Sequence, residues 1–298
     1  MRTALSLTAL LVLGSGAVKA VSVACPPDAL SAQSLSNINS YVVTSNNPEG
    51  GCFVTDKEFF GFTASGGSNA GTSTDPGLDD IVIEGSTNGT PSGTTLTGVS
   101  VTFGTPGTNQ WQTTSNDTSN FNYVGAVVQS NAPVPTPPNT AWALDAFNLS
   151  IGGLNFSTAG QLAIVTEYVC LGGGSVPASG TTTALTCGAS NLASITVLAV
   201  YNGTSTSLFD SCNLGGASVA CAGTIANPSL ANLSSLFPFS YSVQTVVQLV
   251  TAGATSLSLG HITEGFDEAQ VVPEPATFGL IGCGLAGLMA FRSRSRKR

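Results

Sequence analysis

Positive charge is what this 298-residue chain has least of. Its eight basic residues are Arg2, Lys19, Lys57, Arg292, Arg294, Arg296, Lys297 and Arg298. Two lie near the start and five in the last seven positions, so Lys57 alone serves Val21 to Val272. That span holds fifteen acidic side chains against one lysine, a formal charge of −14 that the pooled value of −8 hides. Phosphate contacts need Lys and Arg, so nucleic-acid binding is excluded. Ion pairs are left almost no part in the stability of the span. Sheet hydrogen bonds, apolar burial and cross-links must hold it. Uncompensated carboxylates outside a cell favour a divalent cation, Ca²⁺ first.

Catalytic groups are scarce too. His261 is the sole histidine, and no C-x-x-C occurs, which argues against zinc. There is no G-x-S-x-G elbow, and a span without arginine is poorly equipped for anionic substrates. A non-catalytic protein is expected. Charged residues make up 8% of the chain, against about 25% in ordinary domains, so hydroxyls and amides must cover the surface. No long stretch has helical periodicity.

Period-2 alternation is abundant instead. Val99, Val101 and Phe103 alternate with Ser100 and Thr102, and Phe147, Leu149 and Ile151 with Asn148 and Ser150. Val243, Thr245, Val247 and Leu249 share one face, and Leu257 and Leu259 alternate with serines. Leu162 to Val165 and Ile195 to Val200 are near-continuous apolar runs suited to central strands. Asn88-Gly89, Asp75-Pro76-Gly77, Gly152-Gly153 and Asn202-Gly203 punctuate them as turns. The expected fold is all-β: an antiparallel, jelly-roll-like β-sandwich over residues 21–271. The proline run at 132–139 is either a subdivision or a stiff crossover. One domain is preferred, because late strands are apolar enough to pair with early ones.

The two ends read differently from the middle. Residues 1–20 form a secretory signal: Arg2, an apolar stretch from Ala4 to Val18, and small residues in Val18-Lys19-Ala20 before the cut. A cut after Ala24, or a lipoprotein signal at Cys25, are alternatives. At the other end Val272-Pro273-Glu274-Pro275 is rigid and extended. An uncharged stretch of residues 276–291 follows, then a basic tail at 292–298. As a helix that stretch is about 24 Å long, short for a bilayer core of about 30 Å. Flanking arginines can snorkel to cover the difference, and they keep the tail cytoplasmic.

Pro273, Glu274 and Pro275, then an apolar helix, then an Arg-rich end, resemble the PEP-CTERM sorting signal of Gram-negative bacteria. The resemblance covers Val272 to Arg298. It implies that an integral-membrane exosortase recognises the Pro-Glu-Pro region and processes the chain there. It also implies transient anchoring in the inner membrane, then the cell surface or extracellular matrix, in association with exopolysaccharide and biofilm. The same kind of segment is described as a C-terminal module of ice-binding proteins. Gly282-Cys283-Gly284-Leu285-Ala286-Gly287 matches a nucleotide-binding pattern but lies inside the apolar stretch with no strand before it, so that reading is rejected.

Six cysteines remain besides Cys283: Cys25, Cys52, Cys170, Cys187, Cys212 and Cys221. An even number in an exported domain suggests disulfides, with fifteen possible connectivities. Pairing of sequence neighbours is favoured, because each pair flanks a glycine- or turn-rich loop. Asp75, Asp79 and Asp80, with Glu84, make the densest acidic cluster and a weak Ca²⁺ candidate beside the plainer reading of a solvated turn. Asp56-Lys57-Glu58 reads as a surface patch. Glu264, Asp267 and Glu268 read as an exposed stalk. Trp111, Trp142 and Tyr123 are either sugar-stacking platforms or core residues. The Asn-x-Ser/Thr matches, Asn88 to Asn232, are taken as chance.

The functional expectation is an exported surface or matrix protein sorted by exosortase, with a structural or adhesive ectodomain. Alternatives are a carbohydrate- or Ca²⁺-binding module, then ice binding or a hydrolase.

Overall fold

A computed structural model describes residues 23–27, 31–40, 50–67, 81–87, 95–104, 110–127, 141–173, 185–225, 227–231, 233, 239–253 and 255–271. The elements in chain order are β1 (Gln33–Ser34), α1 (Leu35–Ser40), β2 (Cys52–Val54), β3 (Lys57–Gly67), β4 (Val82–Thr87), β5 (Thr95–Phe103), β6 (Trp111–Thr113), β7 (Asp117–Val127) and β8 (Ala141–Gly152). They continue with β9 (Asn155–Phe156), β10 (Leu162–Leu171), a 3₁₀ turn (Ala189–Asn191), β11 (Leu192–Tyr201), β12 (Thr206–Leu214), β13 (Ala217–Val219) and β14 (Ala222–Thr224). The last are β15 (Asn227–Leu230), β16 (Ser240–Val250), β17 (Leu257–Leu259) and β18 (His261–Val271).

The strands form an eight-stranded sheet, β13-β12-β11-β10-β16-β7-β3-β2, and a seven-stranded sheet, β1-β4-β5-β18-β8-β15-β14. A three-stranded sheet, β6-β17-β9, lies beside them. The pairings within all three are antiparallel. The apolar runs fall where expected: β10 and β11 pair in full register inside the larger sheet. Gly152-Gly153 and Asn202-Gly203 are the bends after β8 and β11. At the second, the Asn202 side-chain oxygen accepts the N–H groups of Thr204 and Ser205 at 2.9 Å each.

The two large sheets bury their facing sides in one apolar cluster running from Cys25 to Phe266. Rings cross the gap: Phe59 of β3 meets Phe266 of β18 at 5.6 Å, and Phe103 of β5 meets Phe121 of β7 at 4.4 Å. Such offset and tilted ring pairs add to simple area burial. Gly125 makes room for one of them. Its cross-strand partner is Tyr241, and a Cβ at Gly125 would fall 2.2 Å from that ring. Tyr241 then lies 5.1 Å from Phe266, nearly parallel.

Among the described residues three disulfides form, Cys25–Cys52, Cys170–Cys187 and Cys212–Cys221, and Cys25, Cys52, Cys170 and Cys212 are buried. These join sequence neighbours. Among the described residues no helix is long and apolar enough to cross a membrane. The expected signal (1–20), the apolar stretch (276–291), the basic tail (292–298) and the proline run (132–139) all lie outside the described residues. Strands from both sides of that run nevertheless share the seven-stranded sheet, since β18 pairs with β5 on one flank and β8 on the other.

Candidate functional site

Five carboxylates lie inside the described structure: Asp56, Glu58, Glu167, Glu264 and Glu268, each 2% exposed or less. Three of them project from central strands. β18 alternates Ile262, Glu264, Phe266 and Glu268, all buried and all on the residue parity that faces the core. The sequence expectation of an exposed stalk at Glu264, Asp267 and Glu268 is therefore wrong. These residues belong to an inner strand flanked on both sides.

Glu264 is held by two hydroxyls from the opposite sheet. Tyr123 Oη donates to its Oε2 at 2.5 Å, and Thr245 Oγ1 donates to its Oε1. Thr245 thus occupies an apolar face as a donor, between Val243 and Val247. Burial raises the Glu264 carboxyl to about 7, although both hydrogen bonds pull the other way. Glu167 of β10 is fully buried, with no hydrogen-bond partner at either oxygen. Burial first, and the charge of Glu264 second, push it well above the usual carboxylate range. Two neighbouring carboxyls in a dry interior cannot both ionise cheaply, so the charge of one holds the other toward its protonated form.

A second cluster sits at the start of β3. Lys57 Nζ lies 3.2 Å from Asp56 Oδ1 and 3.1 Å from Glu268 Oε1, with all three side chains at 3% exposure or less. The expectation of a surface patch at Asp56, Lys57 and Glu58 is overturned. The only lysine of the span has been drawn inside, where it meets two carboxylates. Glu268 is pushed up to about 8 by burial, with Lys57 pulling it down and Asp56 pushing it up. Tyr241 is raised well above its usual value by burial, then by the charges of Glu268 and Asp56.

The remaining sequence candidates are distributed as follows. Trp111, Trp142 and Tyr123 are core residues at 2% exposure or less, which removes them as exposed stacking platforms. His261 opens β18 with its ring over Gly152, and burial lowers its pKa. Asp75, Asp79 and Asp80 lie outside the described residues, as do Pro273, Glu274 and Pro275. Among the described residues no group of three or more His, Cys, Asp or Glu side chains is arranged to hold a metal.

The sequence did not point to the outer face of the larger sheet. One cross-strand row there reads Ser211, Thr196, Thr166, Val246, Asn120 and Ser65. Threonine gives way to valine and asparagine, so the row is not the regular threonine array that ice recognition requires. A cavity of about 270 Å³ opens on this face, lined by Thr118, Asn120, Tyr168, Leu192, Gln244 and Val246 of the sheet and by Leu185. The Leu185 N–H donates to Gln244 Oε1 at 3.0 Å, two residues before the Cys170–Cys187 link, and so ties the segment to the sheet.

The class that these features define is a nearly all-antiparallel-β protein with three disulfides. Residues 271–297 match the family model of the PEP-CTERM protein-sorting motif, which begins at the final residue of β18. That motif indicates export, surface sorting and processing by exosortase. A search of curated proteins finds no match to the chain.

Proposed function

We propose that this is a non-catalytic surface or matrix protein of a Gram-negative bacterium. Its tail, with an apolar helix at 276–291 and a basic stop at 292–298, holds it briefly in the inner membrane until exosortase acts near Pro273–Pro275. The sandwich, jelly-roll-like in type, then serves a structural or adhesive role in an exopolysaccharide layer. The observation that carries this reading is the sorting motif at 271–297. The three disulfides suit an oxidising compartment beyond that membrane. The charge distribution suits it too: a −14 span should stay dispersed among uncharged glycans.

The test is fractionation of the intact chain and of a version ending before Pro273, in cells with and without exosortase. The intact chain should leave the membrane fraction only when exosortase is present. Release that ignores both the tail and the enzyme would overturn the reading.

A second reading, binding of a neutral carbohydrate, is favoured by the outer-face cavity. Its lining mixes amides, a hydroxyl and a tyrosine with no carboxylate, which suits a sugar ring better than Ca²⁺. Glycan-array binding that Tyr168→Ala abolishes would support it. No binding to any neutral glycan would remove it.

A further inference from the structure

Lys57 poses a physical problem. The only lysine of a 250-odd-residue ectodomain would ordinarily stay in water, because an ammonium is costly to bury. Here it sits at 1% exposure, beside two carboxyls that are themselves dry. A turn with an unusual backbone delivers it. Thr55, between β2 and β3, adopts a φ of 55°, which β-branched residues rarely accept. Strain of this kind clusters where a structure must aim a functional group.

The partner comes from the opposite sheet. Lys57 and Phe59 alternate along β3, while Phe266 and Glu268 alternate along β18, and the two rings meet as the two charged groups do. Lys57 Nζ lies 3.1 Å from Glu268 Oε1 and 3.2 Å from Asp56 Oδ1, so the amine and the two carboxyls meet at one point in the interior.

We propose that Lys57 and Glu268 become joined by an isopeptide bond that ties the two sheets together, with Asp56 relaying the proton. The step balances within these three groups. The Asp56 carboxylate takes one proton from the Lys57 ammonium, which frees the lone pair on Nζ. Nζ attacks Cδ of the protonated Glu268 carboxyl. A second proton passes from nitrogen to the Glu268 hydroxyl, the C–O bond breaks, and water leaves. The C–N bond remains as a neutral amide, and Asp56 keeps its proton. No oxidant, metal or co-substrate is required.

Three circumstances drive it. Glu268 is raised to about 8, so its hydroxyl is available to depart as water at neutral pH. Held neighbours react as though at effective concentrations of about 10⁵ M or more. The product replaces a buried cation and a buried anion with neutral groups in a dry core.

Lys57 is the only tryptic site between Lys19 and Arg292, which makes the test direct. The full chain, purified from cells that export it, is denatured, reduced and digested with trypsin. The expected result is no cut after Lys57, with a fragment lighter than its sequence by the mass of one water and a fragmentation spectrum joining Lys57 to Glu268. A cut after Lys57 with full mass overturns the proposal. So does protection of Lys57 with a gain in mass, or a link to Asp56. Glu268→Ala should restore both the cut and the water. That readout is made on denatured chains and does not depend on the variant folding. Asp56→Ala should restore the cut while the three disulfides still form. A cross-link that persists in this variant would overturn the relay role of Asp56.

Discussion

Glu264 shows what a dry carboxyl does to pH dependence. Its pKa is about 7 in the fold, against a reference value of 4.5. The folded state therefore binds more protons than the unfolded state between those values. Stability is full below the unfolded value and declines as pH rises through the folded one. The slope is about 1.4 kcal/mol per pH unit for one fully retained proton. Glu167, whose carboxyl is also raised, and Tyr123 interact with Glu264, so the titration belongs to the group. Melting temperature should fall between about pH 4.5 and about pH 7, and Glu264→Gln should flatten that fall while raising stability at its upper end. A profile unchanged by Glu264→Gln would show that this carboxyl does not titrate in the fold. Glu268 adds a similar term only while it remains a free acid.

At this scale the sequence is least legible. Asp56-Lys57-Glu58 looks like a solvated triplet because charged side chains ordinarily are. Its burial depends on Glu268, which the chain supplies only at the far end of the ectodomain. The disulfides are more legible, because each links near neighbours across a turn-rich loop. Asp75, Asp79 and Asp80 gain nothing from the structure.

Among the elements, β18 is the instructive one. Ile262, Glu264, Phe266 and Glu268 occupy alternate inward positions, so the strand has a plain period of two. The pattern is hidden because two of the four core positions hold carboxyls that a hydropathy reading scores as outward. The strands β5, β8 and β16 carry ordinary apolar residues at the same positions and are readable directly. Measurements at this scale follow from the packing. A chain ending after Val271 should keep its β signature and its resistance to protease, whereas one ending after Gly260 should lose both, because β5 and β8 would lose the strand between them. Phe266→Ala should cost about 3–5 kcal/mol in denaturant titration, as removal of a fully buried ring does. Replacing exposed Phe209 with serine should change stability by less than about 0.5 kcal/mol. Loss of the Cys25–Cys52 link, through paired serine substitutions, should cost about 2–4 kcal/mol.

For the whole molecule, one cluster of buried residues spans both large sheets and draws on strands from both sides of the proline run. Unfolding of the oxidised ectodomain should therefore be a single cooperative transition in calorimetry. Two resolved transitions would mark separable halves. The order of the parts also bears on function. β18 ends at Val271, and the sorting motif begins at the same residue. The segment that carries the motif therefore continues from an inner strand of the sheet, paired on both sides.

What the linear chain determined were properties that are local or additive: β periodicity, cysteines spaced to pair with their neighbours, the sorting motif, and an uneven distribution of charge. What only the tertiary structure decided was which polar groups leave water. Burial depends on residues brought together from distant strands. That is why Lys57, Asp56 and Glu268 meet in the interior, and why the outer-face cavity has no signature along the chain.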